Sequence, residues 1–148
     1  MIRSIVVGTD GSETADKAVR EAAALASQLG ASIDIVSAYA PNSNQRLREE
    51  ARQAPEDTQW RLTAREDVDA KLRDAQGIAE EAGVEDVSVH AREGDPADAI
   101  LDVAEERGSD LIVVGNKGMS GAKRFLLGSV PNKVSHHAPC SVLIVRTT

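Results

Sequence analysis

Aromatic side chains are nearly absent: Tyr39, Trp60 and Phe125 make up 2% of 148 residues. A core must therefore be packed from Ala, Val, Ile and Leu. The same scarcity counts against single-stranded nucleic-acid binding, which relies on aromatic stacking platforms. Cysteine is equally scarce, and one residue, Cys140, cannot form an internal disulfide, so a reducing compartment is expected. No apolar run approaches the length of a membrane span. Met1-Ile2-Arg3 leads straight into Ile5-Val6-Val7, too short and wrongly flanked for a signal peptide. These absences together predict a cytoplasmic protein with no membrane partner.

Negative charge is missing from one end of the chain. All 24 acidic residues lie at or before Asp110, whereas the last 38 residues hold five bases and no acid: Lys117, Lys123, Arg124, Lys133 and Arg146. The first 110 residues carry 12 bases against 24 acids, a balance of −12, and the remainder carries +5. Part of this reflects two buried strands, where few charges are allowed. The loops, free to take acids, took only bases, which points to a local anion site. The net charge of −7 disfavours nucleic acid as a general partner.

What is present is ordinary for a globular protein: 41% hydrophobic and 28% charged residues in a length suited to one domain, 1–148. Nearly continuous apolar runs at Ile2–Gly8, Ala31–Ala38, Val84–Arg92, Leu111–Gly115 and Ser141–Val145 read as strands. Helical spacing falls between them. Ala15, Ala18, Val19, Ala22, Ala26 and Leu29 mark a helix from Glu13 to Gly30, with Ser12 as its N-cap. A long charged helix is predicted from Asp57 to Glu81, stopped by Gly83. Asp95-Pro96 opens a third helix that Gly108 ends, and Ser129 to His137 forms a fourth, with Ser129 as its N-cap. Pro41 to Pro55 is polar and poorly periodic and reads as an insertion. The alternation predicts an α/β fold, a single doubly wound, Rossmann-like five-stranded parallel sheet of order 3-2-1-4-5 with helices on both faces.

Ligands in such sheets bind beyond the carboxyl ends of the strands where the order reverses, here between the first and fourth strands. Gly8-Thr9-Asp10-Gly11-Ser12 and Gly115-Asn116-Lys117-Gly118 are expected to meet there. The second segment continues through Gly121 to Gly128-Ser129, where a helix begins. Free amides at that helix start form a phosphate site, and Lys117, Lys123 and Arg124 can add positive charge.

Gly115-x2-Gly118-x9-Gly128-Ser129 resembles the spaced glycine signature of the ATP-binding branch of the universal stress protein family. Val6–Ser12, Ser109–Gly115 and Ala138–Val145 resemble the same family, so the likeness spans the chain apart from about Pro41 to Trp60. The resemblance implies ATP binding, with Asp10 and Thr9 facing the nucleoside and the backbone at Ala38 meeting adenine. It further implies Gly115 against the ribose, and Gly118, Gly128, Ser129 and the Val130 amide on the phosphates. Any Mg²⁺ would be held mostly by the nucleotide's own phosphates. There is no Walker-type G-x-x-x-x-G-K-[ST]. Pro131 departs from the family pattern and removes one amide. Gly-Ser-Val-Pro-Asn-Lys-Val-Ser and the Ile-Val-Arg-Thr-Thr ending resemble a subgroup that binds cyclic AMP as well as ATP, and both ligands stay open at this point. The resemblance also implies a homodimer through Val142–Val145.

Other residues read as structure. Cys140 is a small hydrophobe before the last strand. His136 and His137 are adjacent and cannot form an i, i+4 metal pair, so no metal site is expected. Asp34 alternates with Ile33 and Ile35 and reads as a strand-surface residue. Tyr39 and Trp60 read as packing. No base is evident to activate water, so no catalytic residue is assigned. The sequence thus predicts a nucleotide-binding, stress-response regulator; slow ATP hydrolysis and a dimeric scaffold with a vestigial site are the alternatives.

Overall fold

A computed structural model describes residues 1–39, 65–116 and 127–147. The expected insertion at Pro41–Pro55, the first part of the charged helix, Trp60, Lys117 and Gly118 lie outside the described residues. The element order is β1 (Ser4–Gly8), α1 (Glu13–Leu29), β2 (Ser32–Tyr39), α2 (Arg65–Glu81), β3 (Val87–Glu93), α3 (Pro96–Arg107), β4 (Leu111–Gly115), α4 (Ser129–His137) and β5 (Ser141–Val145). The strands form one all-parallel sheet in the order β3-β2-β1-β4-β5, as the alternation of strand and helix predicts.

Successive strand residues face opposite sides, so each apolar run feeds two cores. Ile5, Val7, Ile33, Ile35, Leu111 and Val113 pack under α1 and α2. Val6, Val36, Ile112 and Val114 pack under α3 and α4. On the sheet side α1 presents a face of Ala18, Val19, Ala22, Ala23 and Ala26, all buried. Such a face lets the helix lie close to the sheet. Each fully buried valine or isoleucine is worth roughly 1.5–3 kcal/mol.

Local chemistry sets the helix ends. The Ser12 hydroxyl accepts from the Ala15 amide at 3.1 Å, and Gly30 stops α1 in the left-handed region at φ 66°. Asp95 caps α3 by accepting from the Asp98 amide at 3.0 Å, one residue before Pro96. Two expectations change. Val84 is not in a strand: it is buried as part of the α2 stop, its amide donating to the Ala79 carbonyl at 3.2 Å beside Gly83. Ser129 is not an N-cap but the first helical residue of α4; Gly128 is the cap, its carbonyl accepting from Asn132 at 3.1 Å. An N-cap side chain serves the amide two or three residues on, and the third residue after Gly128 is Pro131, which has none.

Asp34 also departs from expectation. It is buried on the α3 side of the sheet, not at a strand surface, and is 1% exposed. His90 and Arg107 supply the partners that a buried carboxylate needs.

Candidate nucleotide site

The sheet opens where its order reverses. The β1–β4 ladder runs from Ile5↔Leu111 to Val7↔Val113. Each strand then continues with its outer neighbour only, β1 to Gly8↔Val36 and β4 to Gly115↔Val145. Beyond Val7 the inner strands therefore diverge into a crevice at their carboxyl ends, the usual ligand position in doubly wound sheets.

One wall is the β1–α1 turn. Thr9 is buried, its amide donating to the Val36 carbonyl at 2.9 Å and its own carbonyl accepting from the Ser37 hydroxyl at 2.7 Å. These bonds tie the turn to the end of β2, beside the half-buried Ala38. Asp10 accepts from the Ser12 amide at 2.9 Å, and the Thr9 hydroxyl accepts from the Gly11 amide at 3.1 Å. Gly11 sits at φ 81°, and a Cβ there would come 2.5 Å from Cδ of Lys71 on α2. The wall is acidic: Asp10, Glu13 and Asp16 follow one another. Burial, with Asp74, Asp10 and Glu13 nearby, pushes the Asp16 carboxyl above its ordinary value despite Arg20.

The opposite wall is the end of β4 and the start of α4. The Gly128 amide donates to the Asn116 carbonyl at 2.9 Å, which joins the two residues flanking 117–127. The first turn of α4 carries no acid, whereas α1 has Glu13 and Asp16 in its first turn and α3 has Asp98. With Gly128 bonded and Pro131 lacking an N–H, the Ser129 and Val130 amides are the donors at this end without a helix carbonyl. An anionic group favours this wall over the acidic one opposite.

The fold thus brings Thr9, Asp10, Ala38, Gly115, Gly128, Ser129 and Val130 to one edge of the sheet. Of the five C-terminal bases, Lys133 is not available to an anion. Its Nζ lies 2.8 Å from Asp98 and 3.3 Å from Asp95, and these carboxylates raise its pKa. Sequence reasoning gave no role to Asn116, Ser37, Lys17 or Thr147, because their bonds join segments far apart in the chain. Cys140 packs against the α3–α4 core, where burial pushes its thiol up. Tyr39 packs against the other core with the Arg65 guanidinium 5.5 Å from its ring centre. Among the described residues no helix is long and apolar enough to cross a membrane.

The sheet order and overall fold match those of known proteins. The family model described as "Universal stress protein family" matches residues 1–146. The chain belongs to the universal stress protein family. A curated universal stress protein of Mycobacterium tuberculosis is 40% identical over 148 residues, covering 99% of this chain and 97% of the relative. Among solved structures, a universal stress protein in complex with cAMP is 36% identical, covers 99% of this chain and 98% of its own, and has a TM-score of 0.74. A universal stress protein from Archaeoglobus fulgidus in complex with dAMP is 26% identical, covers 99% and 100%, and has a TM-score of 0.68. Adenine nucleotides thus occupy relatives of this universal stress protein that share its fold over nearly the whole chain.

Proposed function

We propose that this universal stress protein is a cytoplasmic regulator that binds an adenine nucleotide in the crevice between β1 and β4. The observation that carries the reading is the divergence of these strands after Val7↔Val113, facing a helix start capped by glycine and free of acids. Thr9 and Asp10 face the nucleoside, the backbone at Ala38 meets adenine, and Gly115 lies against the ribose. Gly128, Ser129 and the Val130 amide take phosphate, with Gly118 and Lys117 contributing from the same motif. ATP with Mg²⁺ is the ligand that the glycine motif suggests. Among the described residues the site offers amide donors for phosphate, and its carboxylate, Asp10, is assigned to the nucleoside, so binding rather than rapid hydrolysis is its chemistry.

A second reading, cyclic AMP, is favoured by Pro131. Its missing N–H leaves two amides in the first turn of α4, enough for a single phosphate. The cAMP complex of the 36% identical structure supports the same choice.

The protein further acts as a homodimer joined through Val142–Val145, the outer edge strand. Leu143 and Ile144 are 40% and 37% exposed there. Apolar sheet edges of this kind need covering.

Calorimetric titration of ATP with Mg²⁺, and of cyclic AMP, tests the binding reading. The controls are Ser129→Ala, Val130→Pro and Gly118→Ala. Micromolar binding that Val130→Pro weakens supports the site, and tighter cyclic AMP binding selects the second reading. No binding of either ligand would leave a dimeric scaffold.

A further inference from the structure

Beyond Val7↔Val113 no ladder joins the two walls of the crevice, and what links them there is α1 packing on β4 together with side-chain bonds. The described structure contains a chain of bonds that runs from one wall to the other. The Thr147 amide and hydroxyl donate to the same atom, Asn116 Oδ1, at 2.8 and 3.0 Å. The Thr147 carbonyl accepts from Lys17 Nζ at 3.1 Å, in the second turn of α1. Asn116 in turn donates its amide to Val145 and accepts from the Gly128 amide, both at 2.9 Å. Thr147 is 2% exposed, whereas Asn116 is half-buried and Lys17 is exposed.

We infer that Asn116 and Thr147 form a clasp that positions the two walls of the crevice for the ligand. The linkage runs from Gly128 at the start of α4, through Asn116 and Thr147, to Lys17 on the helix that follows Asp10. Neither residue has to touch the ligand; both are positioning residues, and their effect on affinity rests on the nucleotide-binding reading above. The asparagine oxygen serves two donors at once. Removing it leaves a buried amide and a buried hydroxyl unsatisfied together.

The test combines hydrogen exchange of the nucleotide-free protein with calorimetry, using Asn116→Ala, Thr147→Val and Thr147→Ser. Thr147→Val keeps the shape and loses the hydroxyl donor; Thr147→Ser restores it. The clasp predicts that the Gly128 amide exchanges about tenfold faster in Asn116→Ala and measurably faster in Thr147→Val. Affinity for the nucleotide that the wild type binds should weaken about tenfold in Asn116→Ala, with Thr147→Ser close to wild type. Gly128 exchange unchanged in both Asn116→Ala and Thr147→Val would overturn the clasp. A wild type that binds no nucleotide would overturn the proposed function instead, and the exchange comparison would still decide whether the clasp exists.

Discussion

His90 Nε2 lies 2.8 Å from Oδ1 of Asp34, a carboxylate buried in the second strand of a five-stranded sheet. The same oxygen receives Arg107 Nε at 3.1 Å, from the last residue of α3, while Oδ2 has no hydrogen-bond partner among the described residues. The pair sits diagonally across β2 and β3, since Asp34 registers with Ser88 and His90 with Val36.

Removing one member of such a pair leaves the other buried and under-compensated. His90→Ala should destabilise the fold by about 1–3 kcal/mol, the cost of taking a hydrogen-bond partner from a buried carboxylate. Asp34 is four residues before Ala38 on the strand, about 13 Å from the crevice. Nucleotide affinity should therefore stay at the wild-type value. Urea unfolding and calorimetry on the same preparation check both halves, and a stability loss below about 1 kcal/mol would contradict the pair's role.

Gly11→Ala meets two separate obstacles. The backbone sits at φ 81°, which costs an L-residue about 1–2 kcal/mol. The new methyl would also meet the aliphatic stem of Lys71. Pairing Gly11→Ala with Lys71→Ala should recover the second part and not the first. Thermal melts of the single and double variants separate the two, and complete recovery would show that the backbone carries no strain.

Asp110 ties the start of β1 to the residue before β4. Its Oδ2 accepts from the Arg3 amide at 2.8 Å and the Ser4 amide at 3.1 Å. The Arg3 amide foremost, then the Ser4 amide and the nearby positive charges, hold its carboxyl below the usual range. A carboxyl lowered in the folded state stabilises above its unfolded pKa and loses that contribution as pH falls through the folded value. Asp110→Ala should therefore melt below wild type at pH 7. The gap should narrow as pH drops below about 4. A difference that stays constant to pH 2 would assign the effect to something other than ionisation.

The edge of β5 makes a test of assembly. Light scattering of the wild type at micromolar concentration should give the mass of two protomers. Leu143→Lys combined with Ile144→Lys should give one, with circular dichroism unchanged. A wild-type monomer would remove the dimer from the proposed function.

Much of this architecture is written locally. The alternation of apolar runs with helical spacing was enough for five parallel strands in the order 3-2-1-4-5, since right-handed crossovers leave few topologies. Ser12, Gly30, Asp95 and Gly108 mark helix ends because capping depends on residues within one turn. Local rules also have a limit, seen at Val84 and Ser129. Each lies beside a glycine, and which residue of the pair ends or starts the helix depends on hydrogen bonds that a pattern of residue types leaves ambiguous.

The sequence by itself therefore determined the fold class, the strand order and the two segments that border the crevice. It also carried the family, through glycines spaced along one loop and its flanking strands. Only the tertiary structure decided that Asp34 is buried, that Lys133 is spent on Asp95 and Asp98, and that Asn116 holds Thr147. The physical reason is common to all three. A polar side chain's state depends on which donors and acceptors the fold delivers to it. Here those partners lie 56 residues away for Asp34 and His90, 38 for Lys133 and Asp95, and 31 for Asn116 and Thr147.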